Sequence, residues 1–194
     1  MKRSLSFRRF TSVMLCMTVC LMLCAGLTGC GSDKESEEAG KSVATLCYIN
    51  ADYVQAGDES VNPLTGYELT ENNLQEMTGS TEKPEPAELL EMLKTVPEEL
   101  GDAQTEVNDD YVINGITVEA GTATVDLSSE NLYGGTLEEE LLISQIVETL
   151  LHSYDDISLV KFRLDGEDAE TLMGQVDVTE GFSEGIYALQ WKLK

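Results

Sequence analysis

Residues 122–165 read TATVDLSSENLYGGTLEEELLISQIVETLLHSYDDISLVKFRLD, and this stretch decides the fold. Apolar and polar residues alternate over 124–127, the pattern of a strand with one buried face. Over 136–154, Leu142, Ile143, Ile146, Val147, Leu150, Leu151 and Tyr154 recur at helical spacing and form a wide apolar face suited to a sheet. Ser144, Gln145, Glu148, Thr149 and His152 occupy the remainder of that helix. Thr136 and Glu139 have capping-box spacing, and Glu138, Glu139 and Glu140 lie where the helix dipole favours negative charge. Alternation returns over 158–164 and turns at Asp165-Gly166. Strand, helix and strand together make one α/β packing unit.

Upstream, residues 43–50 are strand-like, and 86–96 make a first helix with Pro86 in its opening turn. Leu89, Leu90, Leu93 and Val96 form its apolar face, and Pro97 stops it. Residues 111–118 and 122–127, separated by Glu119-Ala120-Gly121, read as an antiparallel hairpin. Residues 52–86 are rich in Gly, Pro and polar side chains and carry one exposed strand around 67–70. A structureless loop of that length would be unusual, so the segment is partly ordered or a functional excursion. Weak alternation over 171–178 follows the last clear strand. The expected class is therefore α+β: a single domain with a β-α-β-β-α-β core and two helices packed on a mainly antiparallel sheet.

Three motifs in this core carry a family resemblance. Ala123-Thr124-Val125-Asp126-Leu127-Ser128, then Gln145-Ile146-Val147-Glu148-Thr149-Leu150, then Val160-Lys161-Phe162-Arg163-Leu164-Asp165-Gly166 together resemble the GerMN domain of sporulation and germination lipoproteins. The resemblance covers 43–180 and leaves 181–194 as a C-terminal extension. It implies a non-enzymatic envelope module that assembles or positions a cell-envelope complex, in sporulation, germination or a process outside both. It further implies protein partners in the envelope, with self-association allowed by a fold similar to ring-building domains.

The first thirty residues read as an address. Lys2, Arg3, Arg8 and Arg9 precede a short apolar run over 13–27, the signature of a secretory signal over 1–29. Leu27-Thr28-Gly29-Cys30 resembles the lipobox of bacterial lipoproteins, which implies cleavage before Cys30 and diacylation, palmitate included, of its thiol. Two acyl chains hold a protein firmly where one does not. Residues 30–42, with GSDKESEEAGKS after the cysteine, form a flexible acidic tether, so the domain is expected close to the extracytoplasmic face of the membrane.

The chain carries 12 basic and 36 acidic residues, net −24. Losing the four basic residues of the signal leaves 8 against 36, net −28. Such a chain has no use for nucleic acid, which rewards Lys and Arg on phosphate. An acidic protein binding divalent cations or a cationic wall component is the alternative function. Of the five cysteines, Cys16, Cys20 and Cys24 leave with the signal and Cys30 takes lipid. Cys47 remains, with no disulfide partner and no thiolate cluster, and reads as a small buried hydrophobe. His152 reads as an exposed or capping histidine. Asp126 and Asp165 could be drawn as an acid–base pair, but both sit at strand ends where turn chemistry explains them. Ser128 and Ser129 suit a short turn over 130–132, Gly134-Gly135 frees the entry to the helix, and Gln145 suits a bond to the sheet. No Gly-x-Ser-x-Gly elbow occurs. No catalytic, metal or cofactor residue is assigned, and Cys30 is the one modification site. Replacing Cys30 with Ala should release the protein from membranes on fractionation; continued firm membrane association would refute the lipid anchor.

Overall fold

The computed structural model describes residues 41–190. The signal over 1–29, the lipid site at Cys30 and nearly all of the tether lie outside the described residues. Strand β1, Ser42–Ile49, opens the domain with the run Val-Ala-Thr-Leu-Cys-Tyr-Ile, and both its faces are buried. Ala44, Leu46 and Tyr48 enter the main core, while Cys47 and Ile49 enter a smaller cluster with Leu64, Leu141 and Leu189. Tyr48 sits fully inside because its hydroxyl donates to the carbonyl of Thr95 at 2.8 Å.

The opaque segment is largely ordered. Helix α1, Ala51–Ala56, starts where the Asn50 side chain accepts the N–H of Asp52. Strand β2, Leu64–Thr70, pairs antiparallel with β1, placing Leu46 against Tyr67 and Ile49 against Leu64. This is the strand expected near 67–70, but its Leu64 and Leu69 are buried rather than exposed. Helix α2, Glu71–Thr78, follows at once, capped by reciprocal bonds between Thr70 and Asn73. Helix α3, Pro86–Met92, buries Leu89 and Leu90, with Leu93 at its cap. It is shorter than the expected 86–96, since Leu93, Lys94 and Thr95 bond back three residues rather than four ahead of the stop at Pro97; a 3-10 turn, Glu98–Leu100, follows.

Strands β3, Ile113–Glu119, and β4, Thr122–Leu127, form the expected hairpin. Ala120 and Gly121 take φ of 49° and 82°, the left-handed pair of a tight two-residue turn. Helix α4, Thr136–Ser153, then crosses over to β5, Leu159–Leu164, which lies parallel to β4. Asp165 and Gly166 repeat the left-handed turn and lead to β6, Glu167–Asp168. The strands fall into a pair, β1-β2, and a four-stranded sheet, β3-β4-β5-β6, with one parallel pairing among otherwise antiparallel ones. The α+β class and the β-α-β-β-α-β order therefore hold, with β2 and two short helices inserted after β1.

Helix α4 departs from a one-sided amphipathic helix. Ser144, Gln145, Glu148 and Thr149 are as buried as the leucines, each on a partner. The N–H of Cys47 donates to the Thr149 hydroxyl at 3.0 Å, and the N–H of Thr45 to the Ser153 hydroxyl at 2.9 Å. Ser153 in turn donates to the carbonyl of Thr45. The edge of β1 turned away from β2 is thus met by a helix instead of a strand. Farther along that edge, Ile49 and Gln104 exchange backbone bonds at 2.8 and 2.9 Å. Gln145 reaches the 105–106 loop rather than the sheet, accepting the N–H of Glu106 at 2.8 Å and donating to Thr105.

The cap of α4 also differs from the Thr136–Glu139 box. Gly135 is the N-cap, and Glu138 accepts its N–H at 3.1 Å. An extended glycine fits here because a Cβ on Gly135 would meet the Glu138 carboxylate at 3.0 Å. That frees Glu139, which is fully buried and accepts four backbone N–H groups, from Leu172, Met173, Gln175 and Val176, at 2.7–3.2 Å. Residues 171–178 are consequently a loop wrapped on a carboxylate, not the weak strand their alternation suggests. Glu148 does the same farther on, accepting the N–H of Gly185 at 2.6 Å and of Leu189 at 2.8 Å. Residues 181–190, set apart in the sequence as an extension, are held by these bonds and by Phe182 pairing with Val160. No helix among the described residues is long and apolar enough to cross a membrane.

A buried carboxylate held by backbone donors leaves those donors stranded when it is removed. Glu139→Ala should therefore cost on the order of 3 kcal/mol in urea unfolding, against a few tenths for the exposed Glu130→Ala. Equal costs for the two would refute the account of this loop.

Candidate interaction surface

The four-stranded sheet turns Ala123, Val125, Leu127, Val160 and Phe162 inward. The two-residue period of a strand then sets Thr124, Asp126, Lys161 and Arg163 on the opposite, open face. Cross-strand register pairs Thr124 with Lys161 and Asp126 with Arg163. The polar residues of the first and third motifs therefore converge on one face, and the motif order in sequence is a juxtaposition in space. Lys161 and Arg163 flank an open depression of about 490 Å³ that also takes in Thr124, Asp168 and Thr179. Arg163 is tied to Asp168 by a 2.8 Å ion pair, an exposed contact of small energetic weight.

Asp126 and Asp165 lie at neighbouring strand ends, and each holds the other's turn. Asp126 accepts the N–H of Gly166 at 3.0 Å, and Asp165 accepts the N–H of Ser129 at 3.3 Å together with the Ser129 hydroxyl. The bonds from Ser129 hold the Asp165 carboxyl below its ordinary value. An acid–base pair needs a carboxyl kept protonated, and Asp165 is pushed the other way. The expectation of local turn bonds is thereby amended: the bonds run between β4 and β5 rather than within one turn. Ser128 accepts the N–H of Glu130, as its turn position suggests.

The remaining candidates are accounted for by packing. Cys47 is fully buried, and burial pushes its thiol far up, away from the thiolate a nucleophile requires. His152 pairs with Glu148 at 3.0 Å, at the rim of a concavity of about 430 Å³ shared with Lys41, Lys83, Ser153 and Asp155. Lys83 donates to the Ser153 carbonyl and lies over the Tyr154 ring, neutralising the C-terminal end of α4. Among the described residues, no three His, Cys, Asp or Glu side chains are grouped closely enough to hold a metal ion. Sequence reasoning missed Glu139 and Glu148 as anchors. Both belong to an acid-rich helix, and nothing in the periodicity separates an inward glutamate from a solvated one.

The edges of the sheet differ sharply. Strand β6 is two acidic residues long, a short charged edge of the kind that discourages pairing. At the other edge, Val112 and the first six residues of β3 read Val112-Ile113-Asn114-Gly115-Ile116-Thr117-Val118 without one charge, and Glu119 closes the strand. Val112 is 51% exposed and Val118 39%. Tyr133, 78% exposed, stands beside the same end of the sheet, its carbonyl accepting the Tyr111 hydroxyl. In a chain of 36 acidic residues, an edge strand with a single acid at its end contrasts with the all-acidic β6.

A family model described as Germane, sporulation and spore germination, matches residues 45–170. The comparison with curated proteins gives no match. Among solved structures, the tandem GerMN domains of the sporulation protein GerM from Bacillus subtilis are 17% identical with a TM-score of 0.50. That match covers 76% of this chain and 46% of the tandem structure, so this chain spans about half its length. A Clostridium perfringens protein described as a candidate lipoprotein is 15% identical over 76% of this chain and 92% of its own, at a TM-score of 0.44. The first GerMN domain of GerM alone is 17% identical over 64% of this chain and 86% of its own, at 0.43. At such identities the likeness to the tandem domains speaks for the fold.

Near the N-terminus of α4, burial and the charge of Glu138 raise the Glu106 carboxyl above its ordinary 4.5. A carboxyl raised on folding costs stability when ionised, and the cost fades as pH falls through the raised value. Glu106→Gln should therefore raise the urea midpoint at neutral pH, and the gain should vanish below pH 4.5. A gain that persisted in acid would rule out relief of this charge.

Proposed function

Since the chain belongs to the Germane family of sporulation and spore germination, we propose that it is a non-enzymatic module assembling or positioning a cell-envelope complex. In this reading the domain stands at the extracytoplasmic face of the cell membrane, diacylated at Cys30 and held close by its short acidic tether. The observation that carries it is how the motif residues are employed. Asp126, Asp165 and Glu148, the obvious chemical groups in the three motifs, all accept bonds that hold turns or the C-terminal segment in place. What the sheet offers outward is an open polar face and an edge strand charged only at its last residue, the attributes of a contact surface rather than a reaction site.

The alternative, cation binding by an acidic protein, has no comparable observation behind it. The acidity itself suits a different part of the same reading. A strongly negative surface keeps the module soluble and off anionic lipid headgroups, leaving the lipid as its attachment.

The test is cross-linking on intact cells with the full-length protein, followed by mass spectrometry of what it captures. A recurrent set of envelope proteins is expected, lost when Cys30→Ala releases the bait. Failure to recover any protein, with the bait correctly anchored, would overturn the proposal.

A further inference from the structure

An edge strand has unpaired N–H and C=O groups that can take another strand, and natural sheets usually guard it with charge, proline or brevity. Strand β3 spans seven residues, has no proline, and carries charge only at its last residue, Glu119. In the two-residue hairpin, Glu119 lies opposite Thr122 and Thr117 opposite Thr124. Backbone direction alternates along a strand, so Glu119 and Thr117 bond inward to β4, and Val118 and Ile116 turn their backbone groups outward. The register shift between Ile113 and Gly115 ends the straight edge, which confines pairing to residues 115–119.

We propose that this edge is a self-pairing site, at which β3 joins antiparallel to β3 of a second copy about a two-fold axis at Thr117. The proposal rests on the interaction-module reading above and names its partner. Outward groups must meet outward groups, so Ile116 pairs with Val118 of the second copy, and Val118 with its Ile116. Both of these side chains lie on the core-side face of the sheet, where Val118 is 39% exposed, so the pairing covers apolar surface now in water. Thr117 meets Thr117 on the open face, a favoured cross-strand pair. Charge also selects this register. Glu119 falls opposite Gly115 of the second copy, keeping the two Glu119 side chains roughly 14 Å apart, beyond the screening length of about 8 Å at physiological salt. About four backbone bonds make a weak contact between free molecules, and confinement of anchored copies to one membrane favours it.

The axis makes a sharp test. Opposed non-bonded residues in an antiparallel pair have Cα atoms about 4.5 Å apart, within disulfide range. Thr117→Cys in the full-length anchored protein should give a homodimeric disulfide on mild oxidation of intact membranes. It should do so in roughly tenfold higher yield than Glu167→Cys on the opposite edge of the sheet. Adding Val118→Lys, at a half-open position, should abolish the adduct while leaving the melting temperature near that of the parent. Equal yields at Thr117 and Glu167, no adduct, or an adduct insensitive to Val118→Lys would overturn the proposal. An adduct between Thr117→Cys and a different protein would overturn self-pairing and leave the envelope-module reading standing. Loss of every partner in the intact-cell cross-linking, with the Thr117 homodimer retained, would remove that reading and leave the pairing.

Discussion

The N–H groups of Thr45 and Cys47, donated to the hydroxyls of Ser153 and Thr149, are the contact on which the rest of this structure depends. A buried strand cannot leave its edge unpaired without a cost of about 1–3 kcal/mol for each stranded group. In most sheets another strand supplies the partners. Here β1 has β2 on one side only, and the last turns of α4 present serine and threonine at helical spacing along the other. The bonds fix the helix against the strand, and the helix in turn spans the gap between the strand pair and the four-stranded sheet. Leu142, Ile146 and Leu150 can then bury themselves against β4 and β5 because α4 has been placed by its polar side.

The two internal carboxylates extend the same economy. Each takes backbone donors from a segment that makes little regular structure of its own, Glu139 from 172–176 and Glu148 from 185–189. Two oxygens on one side chain take several backbone donors at once, so a single residue organises a loop that a hydrophobic contact would leave loose. Helix α4 is therefore the hub for the edge of β1, the 105–106 loop and the C-terminal residues. The absence of a conventional polar face on it follows from these obligations.

The apolar half of this design was legible in the sequence and the polar half was not. Leu142, Ile146 and Leu150 announce a helix because burial of leucine and isoleucine needs no named partner. Thr149 and Glu148 look solvated, since a polar residue goes inside only when a specific group awaits it, and that group lies about a hundred residues away for Thr149. The cap moved by one residue for a similar reason: Glu139 had a better set of donors in a loop no local pattern reveals. In 51–78 the signals were present and short. Asn50 before α1 and Thr70 with Asn73 around α2 are ordinary caps, hidden by the Gly and Pro between them. The motif aspartates do accept backbone bonds, as their turn positions suggested, although those bonds cross between strands. Cys47 was read correctly as buried.

Strand β1 begins at Ser42, immediately after the segment expected to run to the lipid, and it is bonded along both edges, to β2 on one and α4 on the other. A load applied along the chain from the N-terminal side would enter the described domain at a strand held on both edges. To draw that strand out, a ladder of backbone bonds and the helix contacts on its far side must yield together, with Leu46 and Tyr48 leaving the core at the same moment. The first described element of the domain thus cannot come away one contact at a time.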